Sequence, residues 1–247
     1  MKNIFNLCIL LCMVSACGDS SEGARVSPGT GVGGSLARFT ISGNHLYTVG
    51  MDNMQVFSIE NLNTPSKVNE LSMEDGVETI FPYQGNLFIG AQNGMYIYSL
   101  ADPTRPELLS LYQHITSCDP VVVQGQYAYV TLRTGTDCRM GENLLEVIDV
   151  SDLRNPVLLE TIQMNNPWGL GVDGSLLFVC ERGYGLVVFD ISDPEKPVEK
   201  RLFANIDGYD VIPNQNVLIL TGNDGIFQYN YSNTDSIYQI SHIPVGG

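Results

Sequence analysis

The 247-residue chain is short of cations, histidines and tryptophan. It has 12 Lys and Arg against 27 Asp and Glu, three His and a single Trp, with a formal net charge of −15. The few cations form no cluster, and binding a phosphate backbone requires clustered cations to displace counterions, so nucleic acid is excluded as a partner. No window carries apolar residues at i, i+3, i+4 and i+7 over a helical length, which argues against helices throughout. No apolar run is long enough to cross a bilayer as a mature helix. No Gly-x-Ser-x-Gly elbow occurs, and no His stands in a recognisable Ser or Cys motif. No catalytic residue is therefore assigned, and nothing calls for a cofactor. The acidic excess reads as solubility. What remains is a globular composition, 44% apolar and 16% charged.

The first residues are an address. MKNIFNLCILLCMVSAC places Lys2 before an apolar run from Ile4 to Val14, the size of a signal-peptide core. The run ends in Val14-Ser15-Ala16-Cys17, and small residues before a cysteine resemble the lipobox of bacterial lipoproteins. The resemblance implies that residues 1–16 are removed, that Cys17 carries lipid, and that the protein is anchored to the outer membrane on its periplasmic or surface side. The alternative is an ordinary signal peptide cut near Ala16. Loss of the leader removes Lys2 and no acid, leaving 11 Lys and Arg against 27 acids, a charge of −16. Residues 17–35 are glycine-rich and polar and suit a flexible tether. Within them Gly29, Gly31 and Gly34 match G-x-G-x-x-G, but with no strand before and no helix after, the match carries no dinucleotide site.

From residue 36 to 247 the chain repeats itself. MQVFSIENLNTP ends at Pro65, MYIYSLADPTRP at Pro106, LEVIDVSDLRNP at Pro156, LVVFDISDPEKP at Pro197, and a degenerate IFQYNYSNTDSI at Ile237. The spacing is close to 40 residues, except for 50 between Pro106 and Pro156. Each unit reads as four short strands separated by turn formers. Four antiparallel strands per 40 residues describe a propeller blade, and five such units predict an all-β, five-bladed β-propeller closed into a ring. A larger ring completed by a second chain, or a sandwich, is the rival.

LEVIDVSD (Leu145–Asp152) and LVVFDISD (Leu186–Asp193) are similar to the signature of the LVIVD repeat proteins of bacteria and archaea, with MYIYSLAD and MQVFSIEN as weaker copies. The resemblance implies a propeller on an exported, often lipid-anchored protein, and implies no reaction.

The recurring acidic turns, Asp102-Pro103, Ser151-Asp152 and Ser192-Asp193-Pro194, read as turn makers in preference to cation sites. The extra length of the third unit falls in residues 134–143 and holds Cys138, while Cys118 precedes that unit's first strand. In an up-and-down blade these places share an edge, so a Cys118–Cys138 disulfide is expected, worth about 3 kcal/mol. A metal site using both cysteines and a histidine is the alternative, but His45, His114 and His242 show no ligand spacing, and no metal is assigned. Cys180 reads as a buried thiol.

The same edge gathers Glu78, Asp119, Trp168, Tyr209 and Asp210 from the lead-ins to first strands, and Arg182, Tyr184 and Asp224 from the second-to-third turns. These residues form the candidate binding face, for a protein, peptide or glycan. The alternative is that Trp168 and Tyr209 merely pack between blades. The expected function is a non-catalytic interaction module at the cell envelope. A metal-dependent hydrolase or lyase with its site in the funnel is the other possibility.

Overall fold

The computed structural model describes residues 33–74, 76–113, 120–134 and 142–245. Each repeat forms one four-stranded antiparallel sheet with strands in sequence order, and no helix occurs among the described residues. Blade 1 is β1 (Phe39–Ser42), β2 (His45–Val49), β3 (Asn53–Ser58) and β4 (Ser66–Ser72). Blade 2 is β5 (Val77–Tyr83), β6 (Asn86–Ala91), β7 (Gly94–Ser99) and β8 (Glu107–Gln113). Blade 3 is β9 (Val121–Gln124), β10 (Tyr127–Leu132), β11 (Leu144–Asp149) and β12 (Val157–Gln163). Blade 4 is β13 (Pro167–Asp173), β14 (Leu176–Glu181), β15 (Gly185–Asp190) and β16 (Val198–Phe203). Blade 5 is β17 (Asp210–Asn214), β18 (Val217–Gly222), β19 (Gly225–Asn230) and β20 (Tyr238–Pro244). The predicted five-bladed propeller of four-stranded blades is what forms.

Local chemistry explains the hairpins. The β5–β6 turn has Gln84 and Gly85 at φ 44° and 74°, the doubly positive backbone that matches strand twist. Blade 5 achieves it with Gln215 and Asn216, at 49° and 64°. Every blade carries a register shift at one place between its third and fourth strands, at Val56/Phe57, Ile97/Tyr98, Val147/Ile148, Val188/Phe189 and Gln228/Tyr229. A bulge there steepens the twist of the outer strand in all five units.

The acidic turns are turn makers. Asp102, Asp152 and Asp193 each accept the backbone N–H two residues on, at 2.9, 2.9 and 3.2 Å, and Asn61 and Asn233 do the same in blades 1 and 5. Hydrogen bonds from Thr104 hold the Asp102 carboxyl below its usual range, and one from the Asn155 side chain does so for Asp152. These turns also tie blades together. Asn69 donates to Thr104 O at 2.9 Å, Ser110 to Leu153 O at 2.7 Å, and the Tyr47 hydroxyl to Pro103 O at 2.8 Å.

First strands lie innermost, β1 beside β5, β5 beside β9, β9 beside β13 and β13 beside β17. Four apolar cores fill the spaces between blades 1 and 2, 2 and 3, 3 and 4, and 4 and 5. The sequence led us to expect a closed ring with a fifth such core. Among the described residues, blades 5 and 1 share none, and Phe39 on β1 is 61% exposed. The seam is bridged instead at its inner edge. Residues 33–38 cross the inner strands of blades 4 and 5 before β1: Leu170 N–H donates to Ser35 Oγ at 2.8 Å, and the Ser35 hydroxyl donates to Asp210 Oδ1 at 2.9 Å.

Candidate binding site at the funnel edge

First-strand lead-ins and second-to-third turns meet at one edge in blades 4 and 5. In blade 4 the lead-in residue Asn166 meets the β14–β15 turn twice: its O accepts Arg182 N–H at 3.0 Å and its Nδ2 donates to Arg182 O at 2.9 Å. In blade 5 the Tyr209 hydroxyl donates to Asn223 Oδ1 in the β18–β19 turn.

Three of the expected face residues come together here. Trp168 is held by its backbone O, which accepts the Thr131 hydroxyl at 2.6 Å, and by its indole N–H, which donates to Asn166 Oδ1 at 3.3 Å. Its ring lies 5.3 Å from that of Tyr209, tilted by 49°. The Arg182 guanidinium sits 5.0 Å from the Trp168 centroid and 4.6 Å from that of Tyr209, and donates to the Tyr209 oxygen at 3.2 Å. Arg133, which sequence reasoning missed, lies 3.9 Å over Trp168. Its signal was alternation: Tyr129, Thr131 and Arg133 fall on the face of blade 3 that meets blade 4. Each guanidinium–ring contact contributes about 0.5–2 kcal/mol, more as water is excluded. Arg182 and Tyr209 also line a shallow, narrow surface crevice with Asp207, Gly208, Gly222 and Asn223.

The remaining expected residues lie elsewhere or face elsewhere. Asp210 turns inward and is 8% exposed. It accepts the Ser35 hydroxyl at 2.9 Å, Leu36 N–H at 3.2 Å and its neighbour Val211 N–H at 3.0 Å. Any side chain at Gly34 or Gly169 would collide with its carboxylate, so glycine on both sides makes the slot it occupies. Burial pushes the Asp210 carboxyl up to about 6, against those hydrogen bonds. Tyr184 is half exposed in the β14–β15 turn, Asp224 is exposed in the β18–β19 turn, and Glu78 belongs to the start of β5 in blade 2. Asp119, Cys17, and the expected Cys118–Cys138 disulfide lie outside the described residues. Cys180 is buried, and burial raises its thiol well above its ordinary value. Among the described residues no three of His, Cys, Asp and Glu gather as a metal site.

Residues 117–163 and 166–204 match the LVIVD repeat. The LVIVD match covers blades 3 and 4, which carry Arg133, Trp168 and Arg182. No curated protein sequence matches the chain. Several solved structures share the fold at low identity. A protein from Lactobacillus plantarum superposes with a TM-score of 0.65 at 13% identity, over 81% of this chain and 69% of its own. The periplasmic gluconolactonase PpgL of Pseudomonas aeruginosa does so at 0.64 and 14%, over 83% and 68%. BamB from Moraxella catarrhalis gives 0.54 and 12%, over 85% and 61%. At these identities the likeness concerns fold alone.

Proposed function

We propose that this chain is a non-catalytic binding module of the bacterial envelope, lipid-anchored through Cys17 at the outer membrane, and that it recognises its ligand with the edge built around Trp168, Arg182 and Tyr209. The observation that carries the reading is the stack itself. Two guanidiniums and two aromatic rings from three blades are held by main-chain bonds at the mouth of a rigid fold, where polar groups are usually spent on recognition. The chain's own residues 33–37 lie against the inner strands and narrow the funnel to a small, largely apolar opening beside Leu170 and Val211.

The lone tryptophan makes the test direct. Titrating the purified chain with peptide and oligosaccharide libraries should give a saturable change in Trp168 emission for at least one class, without consumption of the ligand. Steady turnover of a lactone or glycoside by the same preparation would overturn the reading in favour of a hydrolase or lyase. For the anchor, Cys17→Ser is expected to move the protein from the membrane to the soluble fraction, and an unchanged distribution would remove the lipid from the account.

A further inference from the structure

Acids outnumber cations more than two to one, and two basic side chains are seen paired with one. Lys67 pairs with Glu70 at 2.6 Å and Arg154 with Glu107 at 3.3 Å, both on the surface. Arg182 is half-buried, and among the described residues no carboxylate pairs with it. A guanidinium carries five donors in a fixed fork. In Arg182 one donates to Tyr209, and the two rings hold its plane. A half-buried guanidinium held between two rings, with no carboxylate in ion-pair contact among the described residues, is a preorganised receptor for a planar anion, and carboxylate matches its fork.

The rings bear on what carries that carboxylate. A sugar is usually gripped by lying flat on an open aromatic face. Here Trp168 already has Arg133 at 3.9 Å and Arg182 at 5.0 Å against it, and Tyr209 has Arg182 at 4.6 Å. The adjoining crevice is too narrow to take in a pyranose ring, so a ligand meets the Arg182 fork at the surface. Asp207 is the one acid on its wall, with Oδ1 tied to Gly183 N–H at 3.0 Å. From this geometry we infer that the Trp168–Arg182–Tyr209 edge is a receptor for the side-chain carboxylates of an acidic peptide segment, with Arg182 as the residue that grips them. The inference rests on the binding-module reading and narrows it to one ligand class.

The test is a Trp168 emission titration of the full chain with acetyl-Asp-Glu-Asp-Glu-amide, with its Asn/Gln counterpart, and with tri-galacturonate as the sugar-acid source of the same anion. The acidic peptide should saturate below about 1 mM, and the neutral counterpart should bind at least about tenfold more weakly. Arg182→Met should abolish the response. Arg182→Lys, which keeps charge but loses the fork, should weaken it severalfold with the melting curve unchanged. Arg154→Met, on another surface, should leave it alone. Asp207→Asn removes a like charge and should tighten binding. Equal response to the neutral peptide, preference for tri-galacturonate, no saturation at all, indifference to Arg182→Met, or weakening by Asp207→Asn would each overturn the inference. The first two would leave the binding-module reading standing, whereas silence with every probe together with lactone turnover would remove both.

Discussion

Blades 2 to 4 and the two end blades are written in the same repeat, but their faces differ at matched positions. The register at the bulge aligns them. Toward the following blade, the cross-strand pairs are Tyr47–Val56, Phe88–Ile97, Tyr129–Val147 and Phe178–Val188, and the fifth is Ile219–Gln228. The first four belong to the inter-blade cores, and the fifth to none. Toward the preceding blade, Ile89–Tyr96 and Val179–Val187 face a neighbour, while the equivalent pair in blade 1 is Thr48–Gln55. Burial follows the same division: β6, β10 and β14 are buried on both faces, whereas β2 and β18 alternate. Polar residues enter where an apolar partner is missing, as terminal units of stacked repeats require. The ends are only partly converted, since Phe39, Ile41, Ile226 and Ile243 remain exposed.

The sharpest way to break this comparison is to remove one aromatic from each kind of face. Phe178 is fully buried and meets Tyr231 edge-on at 5.1 Å, so Phe178→Ala should cost about 3–5 kcal/mol in urea unfolding. Phe57, paired with Leu46 on the outer face of blade 1, belongs to no core, and Phe57→Ala should cost about 1 kcal/mol or less. Equal costs would mean that the seam is filled in solution as tightly as an interior interface.

The interior was legible because a repeat writes its period, turns and core pairs into every copy. Trp168, Tyr209 and Arg182 were legible as an edge because strand order dictates which loops share a side. Asp210 was not, since its direction depends on residues 33–36, whose glycines resemble a tether. The physical signal was the pair Gly34 and Gly169, meaningful only once both are known to flank one carboxylate. Arg133 was hidden beside the enlarged loop. The open seam was written plainly in Thr48, Gln55 and Gln228, but only register identifies them as replacements for core residues.

The seam's polar bridge yields a pH effect of the second size. Asp210 titrates near 6 in the folded chain, above the ordinary aspartate value of about 4. The folded state therefore holds a proton that the unfolded state has lost between those values. The group's stabilising contribution is complete below about pH 4 and is lost as pH rises through about 6. Two units correspond to about 2–3 kcal/mol. Asp210→Asn cannot ionise and should flatten that segment of the stability–pH curve, apart from a constant cost for its altered hydrogen bonds to Ser35 and Leu36. Exposed carboxylates with lowered values, such as Asp102 and Asp190, slope the other way at lower pH and are common to both proteins. Identical slopes between pH 4 and 7 in thermal melts would show that the bridge is not the titrating element.

The smallest change in stability should come from making the ends look like interiors. Gln228→Val restores the residue type of Val56, Val147 and Val188, and Thr48→Ile with Gln55→Val restores that of Ile89 and Val187. No neighbour waits to bury these side chains, so the monomer's unfolding free energy should move by no more than about 0.5 kcal/mol. The association behaviour should change more. Apolar side chains added to both end faces make patches that soluble monomers rarely tolerate. The front of blade 1 and the back of blade 5 are also the two surfaces that every interior interface joins. Sedimentation velocity of the triple variant should show concentration-dependent head-to-tail oligomers absent from the parent chain. If instead the triple variant is more stable by about 2 kcal/mol or more and stays monomeric, the two ends already meet in solution, and the polar residues mark a closed but weakened fifth interface.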